Sequence, residues 1–139
     1  MLCPPGWSRA RGYAHGVAAE GRIVFVAGQV GWDASERLVG EDLASQARQA
    51  LANTVTILVE GGAAPGDIVR MTWYVTDKRE YLAARPALGR VYRDLIGAHY
   101  PAMTVVEVAG LIEVGAKVEI ETTAVVSADR RVGAAHAER

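Results

Sequence analysis

The chain has 139 residues, half of them hydrophobic, and a formal net charge of -1 at pH 7. Its length fits one domain with one core, and the balanced charge argues against a nucleic-acid partner. No apolar run reaches the roughly 18 residues of a membrane helix and no signal-peptide pattern opens the chain, so we expect a cytoplasmic protein without membrane contact.

Neither end of the chain has apolar residues at the regular spacing of a helix or a strand. The start carries two prolines and a glycine, and the last dozen residues mix charges with small side chains. We therefore predict flexible termini at residues 1–10 and 128–139 and a folded domain at 11–127. The single cysteine, Cys3, lies in the first of these termini, where a disordered thiol is a better interpretation than a nucleophile.

The first half of the domain predicts a hairpin and then a helix. In YAHGVAAEGRIVFVAGQ, β-branched and aromatic residues on both sides of Glu20-Gly21 indicate two strands. From Asp42 to Val59 apolar residues recur four apart, which predicts a helix of about five turns. Gly61 ends it.

The second half predicts one strand, one helix and two further strands. DIVRMTWYVTD is strand-like, Asp77 can cap the next helix with Glu80 completing a capping box, and Pro86 should open a fresh helical segment that runs to Gly97. AMTVVEV and AKVEIETTAVV follow as strands. The order is β-β-α-β-α-β-β, an α+β domain in which one sheet carries two helices.

Two helices can cover only one face of such a sheet. The positions that would face away within residues 23–27 and 118–126 are nevertheless partly apolar. An uncovered apolar face predicts self-association.

The last strand holds two carboxylates, Glu119 and Glu121, on one side and about 7 Å apart. They are compatible with a solvated strand whose charges discourage aggregation. They are also compatible with a carboxylate that activates water at a subunit junction. The pattern leaves both interpretations open.

The turn VAGQVGWD is a second candidate site. Gly28 and Gly31 would let the backbone leave ordinary angles after a buried strand, and Gln29 and Trp32 could line a pocket. The turn lacks the lysine and hydroxyl of a phosphate loop. Because no histidine has companions at metal-ligand spacing, we predict no metal site.

Six segments resemble, in order and spacing, the YjgF/RidA family: GYAHGV, VFVAGQVGWD, SQARQALANTVTILVEGGA, DIVRMTWYVTD, YPAMTVVEVAGL and KVEIETTAV. The resemblance implies a chorismate-mutase-like fold assembled as a homotrimer, with small-molecule clefts between subunits. It also implies hydrolysis of reactive 2-imino or 2-enamino acids to 2-oxo acids and ammonia, without cofactor or metal.

The family's site residues carry over only in part. Glu119 matches the glutamate that positions water, and Tyr13, Gly28 and Gln29 match positions that line the cleft. Ala27 stands where a serine is expected.

Two further cleft positions also differ from the family. Gly89, about a turn before Tyr92, stands where an asparagine is expected, and Met103 stands where an arginine binds the substrate carboxylate. Backbone groups near Val105 would polarise the substrate.

Three functions remain open from the sequence. The first is an imine or enamine deaminase, or a related hydrolase, with altered substrate preference. The second is a non-catalytic trimer that binds small metabolites, which the absence of an arginine at Met103 favours. The third, RNA cleavage, conflicts with the charge unless surface arginines form one patch. Another arginine, such as Arg85 or Arg90, could also replace the missing one in the cleft.

Overall fold

The computed structural model describes residues 1–128, in which one four-stranded sheet is backed by two helices. The elements are β1 Arg22–Gln29, α1 Leu43–Glu60, β2 Ile68–Val75, α2 Lys78–Leu95, β3 Ala102–Glu107 and β4 Val118–Val126, with a single 3-10 turn at Pro65–Asp67. The strand order is β1-β4-β2-β3, antiparallel except for the parallel pair β2 and β3. The predicted α+β fold class is confirmed. Neither helix is long and apolar enough to cross a membrane.

The predicted first hairpin is wrong. Residues 17–20 form no strand, and β1 pairs with β4 alone. The segment is built from small residues that have little side chain to bury, so it gains nothing by pairing with β1. Instead Ala14 makes an isolated bridge to Ala102, its N–H donating to the Pro101 carbonyl at 2.8 Å. This bridge brings Tyr13 to the end of β3, far along the sheet from β1.

The flexibility predicted for the two termini stays a prediction. The Leu2 N–H donates to the Gly16 carbonyl at 2.8 Å, so the start of the chain lies against the segment before β1. Apart from Ala128, the predicted C-terminal tail lies outside the described residues.

Helix α1 begins and ends as its sequence predicts. The Asp42 carboxylate accepts from the Ser45 N–H at 3.0 Å. Hydrogen bonding with the Ser45 side chain is the main reason that the pKa of Asp42 is lowered, and the bond from the Ser45 N–H lowers it further. Gly62, at φ 74°, has the left-handed conformation that follows many helix ends. The apolar stripe of α1 lies against β1 and β4.

Helix α2 differs from its prediction at two points. Asp77 Oδ1 accepts from the backbone N–H groups of Arg79 and Glu80, but the Glu80 carboxylate binds Lys117 Nζ at 2.9 Å rather than closing a capping box. Pro86 lies inside one continuous helix and does not open a new segment. It removes the one N–H that would have bonded to the Leu82 carbonyl, a local loss that the packed helix tolerates.

The two faces of the sheet differ as the sequence predicts. Even-numbered residues of β4 from Val118 to Val126 are buried under the helices. On the open face, which we define as the sheet face away from both helices, Phe25 is 75% exposed and Ile23 is 55% exposed. Exposing this much apolar surface is unfavourable for an isolated chain.

Candidate functional site

A cleft of about 590 Å³ lies between α2 and the edge strand β3. Three of the predicted ligand residues line it from these two elements: Gly89, Tyr92 and Met103. Val105 lines it too, and Tyr13 reaches it because the bridge at Ala14 holds residues 11–13 against the end of β3. The structure therefore brings five of the predicted residues into one place.

The floor of the cleft is apolar. Met103 and Val105 stand opposite Met71 and Trp73 in the parallel ladder, on the face that the helices cover. Trp73 is only 4% exposed, and its buried Nε1 has no hydrogen-bond partner within residues 1–128. No charged side chain from β2 or β3 enters the floor, so an anion placed there would lose its hydration without gaining a counter-charge.

Two stacked tyrosines form one wall. The rings of Tyr92 and Tyr100 lie 5.5 Å apart and nearly parallel. The Tyr92 hydroxyl donates to the His99 carbonyl at 2.6 Å, while His99 Nε2 donates to the Ile68 carbonyl at 2.7 Å. Burial raises the pKa of Tyr92 far above its ordinary value. This hydroxyl is fixed and protonated, and it therefore shapes the wall rather than acting as a base.

Three arginines surround the mouth of the cleft: Arg11, Arg85 and Arg93. None of the three has a carboxylate within ion-pair distance in the described part of the chain. Arg90, on the same helix, does not line the cleft. Of the two replacements that the sequence suggested for the missing arginine, only Arg85 is therefore in place.

Gly89 leaves room in the cleft. A Cβ added at this position would meet no atom within 4 Å. The glycine thus enlarges the space in front of the tyrosine wall, where a longer polar side chain would reduce it.

The predicted catalytic carboxylate lies elsewhere. Glu119 is on the open face, opposite Tyr74 in the ladder, and it packs so closely on Gly28 that a Cβ there would lie 2.6 Å from Glu119 Oε1. Its neighbour Glu121 accepts from the Tyr74 hydroxyl at 2.6 Å, a bond that raises the pKa of Tyr74. Of the two carboxylates, Glu121 is thus engaged and Glu119 makes no such bond.

The remaining predicted residues lie at the end of β1 or in the loop that follows it. Ala27 is exposed near the end of β1, and Gln29 Nε2 donates to the Ala27 carbonyl at 3.1 Å. Trp32 is half-buried, and its carbonyl accepts from Asn53 Nδ2 at 2.8 Å. None of these three lines the cleft.

The conformational role predicted for Gly28 and Gly31 is wrong. Neither has a positive φ. What they supply is space, since a Cβ at Gly31 would lie 2.7 Å from backbone atoms of Gln46. The turn is glycine-containing because α1 and Glu119 approach it closely.

In one chain, then, the predicted site residues form two groups on opposite faces of the sheet. Tyr13 and Met103 belong to the cleft, and Glu119 and Gly28 belong to the open face. No movement of a side chain can bring the two groups together through a hydrogen-bonded sheet. Assignment of these residues to a ligand stays a prediction.

Sequence reasoning overlooked Arg11, Trp73, Tyr81 and Arg93 as cleft residues. Tyr81 could have been found, because it lies four residues before Arg85 and eleven before Tyr92, and so on the same side of α2. Arg11 could not, since its position depends on the bridge between Ala14 and β3.

Two other expectations concern metals and RNA. Within residues 1–128, no three His, Cys, Asp or Glu side chains are grouped so as to hold a metal ion. The arginines considered for an RNA surface do not form one patch. Arg48 pairs with Asp94 at 2.8 Å, and Arg70 of β2 lies on the open face of the sheet, whereas Arg90 and Arg93 are on α2, which covers the other face.

The family model described as Endoribonuclease L-PSP matches residues 7–126. A Yersinia pestis structure of YyfB, from the conserved Rid protein family, superposes with a TM-score of 0.75 at 36% identity, covering 83% of this chain and 87% of that one. The chain belongs to the YjgF/RidA (Rid) family. The resemblance drawn from its sequence motifs is confirmed.

Other Rid proteins match over similar lengths. A 2-iminobutanoate/2-iminopropanoate deaminase of Salmonella typhimurium is 35% identical over 113 residues, which is 81% of this chain and 86% of that protein. The structure of Escherichia coli TdcF with bound serine superposes with a TM-score of 0.65 at 35% identity, covering 86% of this chain and 92% of that one. Imine deamination is thus a role found among the relatives of this chain.

Proposed function

We propose that this Rid protein is a homotrimeric hydrolase of reactive imines or enamines whose sites form between copies of the chain. The observation that carries the proposal is the division of the site residues: the cleft and Glu119 lie on opposite faces of one sheet. A second copy that covers the open face of the first could bring its own cleft to the first chain's Glu119 and so complete a site.

The exposed residues of the open face support such an assembly. Phe25, 75% exposed, and Ile23, 55% exposed, present apolar surface beside Glu119. Burying a phenylalanine side chain is worth about 1.5–3 kcal/mol, so several copies of this face supply a substantial association energy.

The chemistry follows from a carboxylate beside an imine carbon. Glu119 would accept a proton from water as the water oxygen bonds to that carbon, and the proton would pass to the nitrogen. In the resulting carbinolamine, the new hydroxyl gives its proton to the nitrogen as the C=O double bond forms, and cleavage of the C–N bond releases ammonia and leaves a 2-oxo acid. One water enters and one ammonia leaves, so no cofactor is consumed.

A rate measurement tests the catalytic part of the proposal. The purified protein is mixed with freshly generated 2-iminobutyrate and ammonia release is followed. Glu119→Gln should reduce the rate to that of buffer, whereas Glu121→Gln should leave it largely unchanged, because Glu121 is held by Tyr74. Equal loss in both variants would contradict a specific role for Glu119.

A second assay tests assembly. Sedimentation equilibrium should give three times the mass of the chain. Phe25→Lys should reduce that mass, while Val59→Lys should not, since Val59 is 65% exposed on α1 away from the open face. A wild-type protein that sediments with the mass of a single chain would contradict the proposed assembly.

The second candidate is a trimer that binds small metabolites without turnover. Met103 favours it, because a thioether gives a carboxylate none of the charge-assisted hydrogen bonds of an arginine fork. Ligand binding with no rate above buffer would support this alternative. Met103→Arg should then create activity on small 2-imino acids if the rest of the cleft is competent.

A further inference from the structure

We propose that the cleft binds bulky apolar or aromatic 2-oxo and 2-imino acids, with the carboxylate held at the mouth by Arg85 and the side chain directed to the floor. This inference rests on the proposed function for what concerns turnover of imino acids. It goes beyond that function in naming the ligand class and the residue that selects it.

The floor excludes a charged group. Met103, Val105 and Trp73 line it without a charged group, and the adjacent wall is the stacked ring of Tyr92. An ionised carboxylate transferred there would be desolvated and unpaired, which costs several kilocalories per mole or more. An apolar side chain in the same place is instead favoured by burial and by the soft thioether of Met103.

The mouth has the opposite character. Arg85 is exposed, lines the cleft and has no carboxylate partner within residues 1–128. It stands one turn from Tyr81, whose pKa burial raises while the nearby Arg85 guanidinium acts to lower it. Arg93 and Arg11 add positive charge at the same opening. A cationic mouth over an apolar floor fits an amphipathic anion.

The size of the cleft agrees with a large side chain. About 590 Å³ falls within the range of pockets that hold drug-sized molecules. Gly89 widens the space further, because no atom lies within 4 Å of where its Cβ would be. An acid with only three or four carbons would leave much of this space to water.

The orientation also suits the proposed chemistry. In a 2-imino acid the reacting carbon is bonded to the carboxylate carbon. A carboxylate at Arg85 therefore keeps the reacting carbon near the mouth, where a second copy of the chain can approach.

Calorimetric titration with three stable probes tests the inference. Phenylpyruvate has the charge and the aromatic side chain, its methyl ester lacks the charge, and pyruvate lacks the side chain. Phenylpyruvate should bind about tenfold more tightly than its ester, since one charge-assisted hydrogen bond at an exposed site is worth about a factor of ten. It should also bind more tightly than pyruvate, which has no aromatic ring to bury on the floor of the cleft. Equal affinity for the acid and its ester would overturn the proposal.

Two arginines of α2 form a matched pair of variants. Arg85→Gln should weaken phenylpyruvate binding about tenfold and leave the ester unaffected, which one lost charge-assisted bond predicts. Arg90→Gln removes the same charge from the same helix without touching the cleft, and should change neither affinity. If both variants bind phenylpyruvate like the wild type, Arg85 is not the anchor and the proposal is wrong.

These binding measurements separate the two proposals. Selective phenylpyruvate binding without ammonia release from any imino acid would refute the hydrolase and leave the ligand class standing. Turnover of 2-iminobutyrate without preference for the aromatic acid would refute the ligand class and leave the hydrolase standing.

Discussion

Replacement of Gln46 by methionine should destabilise the fold far more than a conservative change in a helix usually does. Gln46 lies on the buried side of α1 and is 1% exposed. Its Oε1 accepts from the Lys117 N–H at 2.8 Å, and its Nε2 donates to the Gly115 carbonyl at 3.1 Å and, more weakly, to the Gly40 carbonyl at 3.4 Å. Methionine preserves the unbranched shape and removes all three bonds.

The expected cost follows from the groups left behind. The Lys117 N–H would lose its hydrogen bond to Gln46 Oε1, and an unpaired, largely covered N–H costs about 1–3 kcal/mol. Gly115 is exposed, so water can replace part of the bond to its carbonyl, and its loss should cost about 0.5–1.5 kcal/mol. The free energy of unfolding should therefore fall by about 2–4 kcal/mol.

Urea denaturation, repeated at several protein concentrations, measures this change, because assembly would make the apparent stability concentration-dependent. Gln49→Met is the control: Gln49 bonds only to Asn53 on a half-buried surface, at 2.8 Å, and its loss should cost less than about 1 kcal/mol. Hydrogen exchange at the Lys117 amide should accelerate in the first variant alone. Equal losses in the two variants would refute the reasoning.

Four smaller changes test other features of the fold, each by urea denaturation. Thr122→Val should raise the free energy of unfolding by about 1 kcal/mol, because the buried Thr122 hydroxyl has no hydrogen-bond partner within residues 1–128. Thr54→Val should lower it by about the same amount, because the Thr54 hydroxyl donates to the Ala50 carbonyl at 2.8 Å. Asp42→Ala should cost about 1 kcal/mol at pH 7. Because the hydrogen bond to Ser45 lowers the pKa of Asp42, this difference should be lost as pH falls through that lowered pKa. Gly31→Ala should cost about 1–3 kcal/mol, since its Cβ would lie 2.7 Å from backbone atoms of α1.

The helices and the central strand could be predicted because their signals are local. Asp42 and Asp77 could be recognised as helix caps because their carboxylates bond to backbone N–H groups no more than three residues away. The alternation of buried and exposed side chains in β4 is visible within its nine residues. The order of these elements predicted the α+β class, and the family resemblance then implied the chorismate-mutase-like fold. These features depend on neighbours along the chain, which a sequence displays directly.

The errors concern contacts between distant segments. Gln46 is bonded to residues 69 and 71 positions later, and no period in α1 distinguishes it from an exposed glutamine. The segment before β1 was predicted to pair with β1, yet its Ala14 bridges to Ala102 at the opposite edge of the sheet. Arg85 was recognised only as one of two possibilities, because both candidates are exposed positions on one helix.

The division of the site between two faces leads to a last prediction, of complementation between inactive chains. Glu119→Gln removes the carboxylate of the open face, and Gly89→Trp would fill the cleft from a position with open space around it. If each site joins the cleft of one chain to Glu119 of another, random mixed trimers from equal amounts of the two variants should recover about a quarter of wild-type activity after co-refolding.

The same mixture discriminates between arrangements. A site formed within one chain would contain a defect in every copy, because each variant carries its own substitution. The mixed preparation would then be as inactive as either variant alone, and adding wild-type chain would restore activity only in proportion to the amount added. Recovery without any wild-type chain can come only from sites shared between copies, which is what a cleft and a carboxylate on opposite faces of one sheet require.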